Sequence, residues 1–493
     1  MTLREPTVPK RVAVVGGGLA GLSAAAGLAD RGLHVEIFEA RRRLGGRASS
    51  FQDSTGKWVD HCQHVGMGCC TNLLAFCRRT QISDLLRRER VIPFIGPTGQ
   101  RCNLNAAAWL PCPFHLTPSL LGMRFLTWRE RFAVARTLLQ LARTPIQGAA
   151  NEPTIGQWLD DHKQSRNVQN KFWSVVLVSA LGESLSRASL SAARKVFVDG
   201  FLGSRHAYEI LVPKVPLSEL YGSRILDWFA QRNVQVHLSN QVTSVRPIGD
   251  AGCEITIGQG LTRRFDYVVL ASHWRRIPNL LEENILEQSG CHALAQLKSA
   301  PITGLHLWFD RRITSVRHAV IVDRLIQWVF YRGGENRSGD LADHGEYYQV
   351  VISASHDLAG QDHEEILRRC RLDLESIWPG TAEAELKGWK LITERDAVFS
   401  VQPGIERLRP LQQTSIPSLL LAGDWTRTGW PATMEGAVRS GYLAAESILR
   451  ENGLPAGLVV PDLKRSLLSR LLISSTDRNS RSEELSHSDV VRT

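Results

Sequence analysis

No run of about eighteen apolar residues occurs anywhere in this chain, so nothing in it is written to cross a bilayer as a helix. No two of its nine cysteines stand at CxxC spacing, and the adjacency of Cys69 and Cys70 does not suit a zinc site. Reduced, mostly buried thiols in a cytoplasmic protein are expected, with no metal centre. Internal repeats are absent, which sets solenoids and propellers aside. The formal net charge is +10, yet the arginines are scattered rather than gathered in one block. No nucleic-acid module is recognisable, so the charge reads as solubility plus attraction to anionic membrane surfaces. No leader segment is expected, since the first ten residues are polar with two prolines.

What is present begins at once. Residues Arg11–Ala40 read RVAVVGGGLAGLSAAAGLADRGLHVEIFEA. Val12–Val15 is a short β-branched run, expected as a buried strand, and Ala20–Arg31 is an alanine- and leucine-rich helix ended by Gly32. Between them Gly16, Gly18 and Gly21 stand at GxGxxG spacing. Gly16 allows a tight turn, Gly18 lets backbone approach a pyrophosphate, and Gly21 lets the helix pack closely on the strand. The helix N-terminus offers free N–H groups and a positive dipole end to phosphate. His34–Phe38 is a second strand and Glu39 closes it, where a carboxylate accepts hydrogen bonds from ribose hydroxyls and disfavours a 2′-phosphate. Strand, glycines, helix, strand and acid in this order indicate a dinucleotide-binding oxidoreductase.

Arg41–Ser50 reads RRRLGGRASS, and Ser418–Ile448 reads SLLLAGDWTRTGWPATMEGAVRSGYLAAESI. Both stretches resemble motifs of the large flavoprotein family that holds amine oxidases and carotenoid desaturases. The resemblance implies FAD as cofactor. It implies Gly45 and Gly46 where the loop passes close to the cofactor, Arg47 at the pyrophosphate, and Val242 with its backbone at the adenine. At the far end it implies Gly423 and Asp424 at the ribityl chain, and the backbone around Met434 and Gly436 at the pyrimidine edge of the flavin. There a helix N-terminus stabilises the charge of the reduced ring.

The expected fold is α/β, a Rossmann-like, glutathione-reductase-like FAD-binding domain with an inserted α+β substrate domain. At 493 residues with 43% hydrophobic content, two domains with a large core are expected. The FAD domain is read from three pieces, 10–90, 210–275 and 385–450. The substrate domain is read from 91–209, largely helical, and 276–384, with strands at Gly304–Phe309, Ile326–Tyr331 and Tyr347–Ser353. In the middle FAD piece Leu217–Gln231 reads as a helix, and Val234–Leu238, Asn240–Pro247 and Phe265–Ala271 as strands. Residues 451–493 form an amphipathic segment and a disordered tail.

Four segments narrow the resemblance: LGGRASSF at 44–51, VDHCQHVGMG at 59–68, QVVISAS at 349–355 and GDWTRTGWP at 423–431. Together they resemble the squalene-associated FAD-dependent desaturases, whose members act as hydroxysqualene dehydroxylases in hopanoid synthesis. The implied reaction is reductive dehydroxylation of hydroxysqualene to squalene by hydride from reduced flavin, with a C30 isoprenoid as substrate. Squalene- or phytoene-synthase-like enzymes are the implied upstream partners. That family usually has Asn-Gly after the aspartate. Here the pair is His61-Cys62, so side chains are expected where backbone would approach the flavin.

His64 and Asp60 fall in the loop that the resemblance places beside the flavin ring. Either supplies the proton for the leaving hydroxyl, or both simply hold the loop by hydrogen bonds. Trp425 and Trp430 either stabilise a cation through their π faces or pack as indoles. Three other readings stay open: an isoprenoid desaturase, an amine-oxidase-like flavoenzyme, and an inactive FAD-bound scaffold in a lipid-synthesis complex.

The substrate sets the place of work. Moving about thirty apolar carbons out of water is worth roughly 0.8 kcal/mol each, more than the tightest non-covalent complexes supply. Docking on the inner face of the membrane is therefore expected. Two amphipathic segments suit it: Trp128–Arg143, with Phe132, Ala135, Leu139 and Ala142 on one face and Arg131 and Arg136 elsewhere, and the stripe Leu463, Leu467, Leu468, Leu471 and Leu472 flanked by Lys464, Arg465 and Arg470.

Overall fold

The computed structural model describes residues 9–53, 56, 58–145, 152–333 and 345–474. Its cofactor side is a five-stranded, fully parallel sheet in the order Gln235–Leu238, His34–Glu39, Arg11–Val15, Tyr267–Leu270, Leu419–Leu421. Both faces of such a sheet are covered, which is why Val12, Val14, Val15, Val268, Val269 and Leu419–Leu421 form unbroken apolar runs rather than alternating ones. Strands from residues 11 to 421 thus share one sheet, and the two chain regions singled out above meet across it.

The helices Leu19–Ala29 and Met434–Glu451 pack together on this sheet through small residues. A Cβ on Gly441 would lie 2.1 Å from the Ala20 carbonyl oxygen and 2.2 Å from the Ser23 hydroxyl. Ser23 in turn donates to the Val438 carbonyl at 3.1 Å. Close approach of two backbones is what glycine and alanine at these positions permit.

The second sheet has seven strands in the order Leu386–Phe399, Ser299–Phe309, Glu346–Ser353, Trp328–Tyr331, His318–Ile321, Ile92–Ile95, Arg101–Leu104. One face carries Leu305, Leu307, Phe309, Tyr348, Val350 and Ile352 and is covered by the helix His363–Ile377 through Ile366, Cys370, Leu374 and Ile377. The opposite face turns toward the cofactor side. There Val320, Phe330 and Val351 join a core shared with the helices Trp128–Arg143, Val175–Leu181 and Leu190–Phe197. Two of the helices in this insertion begin with reciprocal capping boxes, Thr127 with Glu130 and Thr154 with Gln157, the S/T-x-x-E/Q signature.

Several expected boundaries move. Leu386–Phe399 pairs with Ser299–Phe309 in the seven-stranded sheet, so the piece written as 385–450 joins the cofactor side only after that strand. The insertion 91–209 opens with two strands of the same sheet, Ile92–Ile95 and Arg101–Leu104, before its helices begin. The expected helix Leu217–Gln231 starts with a wide π-type turn, Glu219–Ser223, and continues as Arg224–Ala230. In Trp128–Arg143 the inward residues are Arg131, Val134, Thr137, Leu141 and Ala142, while Phe132 points outward. Arg131 is inward because its guanidinium caps the Leu126 and Leu121 carbonyls. The leucine stripe near the end of the chain forms only a six-residue helix, Leu467–Leu472. All nine cysteines are buried free thiols. The tail beyond Ser474, expected as disordered, lies outside the described residues.

Candidate functional site

The turn from the first strand into the first helix has the geometry its glycines permit. Gly16 has φ +119°, and a Cβ there would sit 2.7 Å from the Ala271 carbonyl oxygen. A Cβ on Gly21 would fall 2.0 Å from the Gly16 carbonyl oxygen, so only hydrogen fits between helix and turn. Gly18 differs: a Cβ there would meet nothing nearer than the Gly46 Cα at 3.9 Å. Its surface is open, as a surface that receives a ligand must be.

The second glycine pair is laced onto this turn. The Gly45 N–H donates to the Gly17 carbonyl at 2.8 Å, Gly18 and Gly45 form a parallel bridge, and a Cβ on Gly46 would lie 3.0 Å from the Gly18 Cα. Gly45 and Gly46 take φ +98° and +61°, backbone that side chains resist. The Glu39 carboxylate accepts from the Gly17 N–H at 2.7 Å and the Arg41 N–H at 2.8 Å, which fixes its oxygens beside the glycine turn. Two acceptor positions remain on such a carboxylate for a diol. Val242 is buried at the head of the strand that follows Asn240, whose N–H donates to the Glu39 carbonyl at 2.9 Å.

The far end closes on the same place. Arg47 donates to the Asp424 carboxylate at 2.6 Å and to the Ala397 carbonyl at 2.5 Å. This ion pair joins a residue of the second glycine motif to one of the closing motif. Gly423 has φ +154°, and its Cβ would strike the Trp425 indole, whose N–H donates to the Ser272 carbonyl at 3.0 Å. Trp425 and Trp430 are both buried, and the Trp430 ring lies under the Lys195 ammonium at 4.4 Å and the Arg439 guanidinium at 5.6 Å. Thr433 caps the helix that begins at Met434 by accepting from the Gly436 N–H at 3.1 Å, and a Cβ on Gly436 would crowd the Pro431 carbonyl oxygen at 2.8 Å.

Asp60 and His64 behave differently from each other. Asp60 accepts from the Ser50 hydroxyl at 2.6 Å and the Leu217 N–H at 3.0 Å, and faces Arg332 at 3.7 Å. These are the bonds of a loop fastener. His64 is half-buried, with Nδ1 3.0 Å from the Cys62 carbonyl oxygen. A carbonyl only accepts, so Nδ1 carries the proton and Nε2 is left a bare acceptor. Burial lowers the His64 pKa, which keeps the ring neutral. The expectation that His64 donates a proton therefore meets a ring arranged to accept one. His61 accepts from Arg43 at 3.1 Å, and burial, with Arg43 and Arg41 nearby, brings its pKa down to about 4. Cys62 is buried, its thiol pushed up to about 12 by burial.

The family model for flavin-containing amine oxidoreductases matches residues 19–449. The chain belongs to this family. It is an FAD-dependent oxidoreductase of α/β fold, and the open Gly18 surface, the laced glycines and the Arg47–Asp424 junction fit that cofactor. Among curated relatives, a hydroxysqualene dehydroxylase of Sinorhizobium fredii (strain NBRC 101917 / NGR234) is 26% identical over 459 residues, covering 90% of this chain and 99% of that protein. A 15-cis-phytoene desaturase of Synechococcus elongatus is 26% identical over 471 residues, covering 89% of this chain and 96% of that protein. Among solved structures, cyclohexylamine oxidase from Brevibacterium oxydans IH-35A superposes with a TM-score of 0.66 at 17% identity, over 90% of this chain and all of that one, a likeness of fold.

Two residues of this flavoenzyme's site escape a motif reading. Arg409 is fully buried, and one of its guanidinium nitrogens reaches the Asp424, Thr426 and Trp430 carbonyls, drawing the closing loop around a single cation. Glu435, at the start of the closing helix, accepts from the Asn72 and Leu73 N–H groups at 3.0 and 2.8 Å and so caps the helix Thr71–Arg79. The only sequence signal for Glu435 is a carboxylate in the middle of a glycine-rich motif. For Arg409 there is none.

Proposed function

We propose that the protein reductively dehydroxylates hydroxysqualene to squalene. The observation that carries this reading is the likeness to a hydroxysqualene dehydroxylase that runs nearly the whole length of that relative. The face of the seven-stranded sheet turned toward the 60–64 loop supports it: Trp308, Trp328, Phe330 and Tyr347 line an aromatic wall suited to an isoprenoid chain.

FAD, bound and reduced by an external donor, supplies the hydride. Gly16, Gly18 and the N-terminus of the first helix would hold its pyrophosphate, Glu39 its ribose, and Val242 backbone its adenine. Asp424 would release Arg47 to hydrogen-bond the ribityl chain, leaving the guanidinium to the pyrophosphate. Met434–Gly436 backbone would face the pyrimidine edge. The aromatic wall would keep water away, so that an allylic cation left when the protonated hydroxyl departs as water would be shielded from solvent. Asp60, bonded to Ser50 and Leu217, would hold the 60–64 loop in place.

The test is anaerobic mixing of chemically reduced holoenzyme with hydroxysqualene. Flavin reoxidation together with squalene, identified by mass spectrometry, supports the reading; a flavin that stays reduced refutes it. A second reading, an isoprenoid desaturase, is favoured by the phytoene desaturase relatives. It predicts that the oxidised holoenzyme bleaches on adding a hydrocarbon such as phytoene.

Such a substrate calls for a lipid surface, and one face of the molecule suits it. Trp109, Phe114, Trp128, Phe132, Leu467 and Leu471 are all exposed apolar side chains. Their segments are neighbours: Ser466 donates to the Cys112 carbonyl at 3.0 Å, and the helix Leu467–Leu472 contacts Trp128–Arg143. Lys464 and Arg470, also exposed, flank the leucines and suit anionic headgroups.

A further inference from the structure

On the sheet face turned toward the 60–64 loop, the aromatic wall is interrupted by buried polar groups that the mechanism above does not use. His306 and Gln349 are direct cross-strand partners, so their side chains stand together on one face. Both residues are fully buried. His306 Nδ1 lies 2.7 Å from the Tyr347 hydroxyl, but His306 Nε2 has no partner among the described residues, and neither does either end of the Gln349 amide. Three unpartnered polar atoms buried side by side are costly. A fold that keeps them there retains them for something that binds.

Their place says what that is. The next residue on this face toward the loop is Gly304, and a Cβ there would lie 3.6 Å from His306 Nε2, 3.3 Å from the His61 carbonyl oxygen and 3.7 Å from the Cys62 Cα. The missing side chain leaves a gap of no more than a methyl group between the imidazole and the loop, close to the size of a hydroxyl. Around it the wall is apolar: Trp308 stacks on Tyr347 at 4.9 Å, and Trp328 on Phe330 at 5.3 Å. An aromatic wall with one small polar node suits a long hydrocarbon that carries one small polar group.

We propose that His306 and Gln349, with Tyr347 steadying the His306 ring, form a hydroxyl-recognition site that takes an isoprenoid alcohol and disfavours the matching hydrocarbon. Tyr347, its pKa raised by burial, keeps its phenolic proton and bonds Nδ1 as donor or acceptor, so Nε2 offers a hydroxyl an N–H in one tautomer and a lone pair in the other. The Gln349 amide adds a donor and an acceptor beside it. Between them they satisfy both the lone pairs and the proton of a hydroxyl. A site built around such bonds rejects a ligand lacking the hydroxyl, because its buried polar groups are then left unpaired. The inference rests on the proposed reaction only for the identity of the alcohol.

Binding decides it without turnover. Holoenzyme in detergent micelles is titrated with hydroxysqualene and with squalene, following the perturbation of the visible flavin spectrum. The wild-type protein is expected to prefer the alcohol by about tenfold or more. Gln349→Leu and His306→Phe are each expected to bring the two affinities together with squalene binding unchanged. Gln349→Leu also raises the thermal midpoint, because it removes an unpaired buried amide, whereas a structural glutamine would lower it on replacement. A wild type with no preference, or a preference surviving both substitutions, overturns the site. A preserved preference in an enzyme that does not convert the alcohol leaves the site standing and refutes the proposed reaction instead.

Discussion

At the scale of single residues, Gly18 and Gly21 make opposite predictions although both belong to one motif. Gly21→Ala drives a Cβ to 2.0 Å from a backbone oxygen, so the helix must shift. A loss of about 1–3 kcal/mol in urea unfolding of the apoprotein is expected. Gly18→Ala meets only the Gly46 Cα, at an ordinary contact distance of 3.9 Å, and Gly18 already has φ −80°, comfortable for alanine. Its apoprotein is expected to unfold like the wild type while its FAD affinity falls. Equal effects of the two substitutions on unfolding would refute this division of labour. Histidines add a pH prediction. Burial brings His61, His115 and His273 down to about 4 and His306 to about 3. Above the ordinary value near 6.5 all four are neutral in both states and cost nothing. As pH falls below it, the unfolded chain takes up protons that the folded chain refuses, so stability drops by on the order of 1 kcal/mol per pH unit for each histidine. Thermal midpoints measured from pH 7 to 4.5 should decline, and more shallowly in His306→Phe. A slope unaltered by that substitution would contradict the assignment.

At the scale of elements, the closing loop 423–430 depends on a residue outside it. Arg409→Ala leaves three buried carbonyls without their donor. The expected cost is about 3–5 kcal/mol, with FAD lost in parallel, read by denaturant unfolding and by flavin retained through gel filtration. Arg409→Lys is expected to recover part of the loss, since a single nitrogen reaches all three carbonyls, while the guanidinium's contacts with Glu406 and the Phe399 ring are lost. The elements also show where sequence was enough. The first strand, its glycines, the first helix and the second strand were legible because each obeys a local rule: apolar runs for strands buried on both faces, glycine where backbone meets backbone. The strands at Ser299–Phe309, Trp328–Tyr331 and Glu346–Ser353 were legible for the same reason. Leu386–Phe399 was assigned to the wrong layer because strand pairing is a long-range choice; nothing within the strand says that it lies beside Ser299–Phe309. The face read as suited to a membrane, with Phe132, Ala135, Leu139 and Ala142, keeps Phe132 exposed but turns Ala142 inward. Helical spacing identifies a stripe, but the buried Arg131 shows that carbonyls elsewhere determine which stripe turns in.

At the scale of the whole molecule, the cofactor site is assembled from opposite ends of the chain, and the Arg47–Asp424 pair is the visible junction. The GxGxxG turn, the second glycine pair and the closing helix could be recognised separately in the sequence. Their mutual contacts, and the unpaired His306 and Gln349 on the facing sheet, arise only when the chain has folded. The same scale governs the proposed membrane face, whose aromatic and leucine side chains come from segments more than three hundred residues apart in number. Replacing Leu467 and Leu471 together by Asp should abolish flotation with anionic vesicles while leaving FAD binding intact. Undiminished flotation would place the docking surface elsewhere. The claim on which the rest depends is that both ends of the chain grip one FAD. Titrating apoprotein with FAD by flavin fluorescence tests it most directly. Gly18→Ala at one end and Asp424→Ala at the other should each weaken binding by about tenfold or more, about 1.4 kcal/mol apiece. A wild-type protein that binds no FAD, or two variants that bind it as tightly as the wild type, would contradict the account.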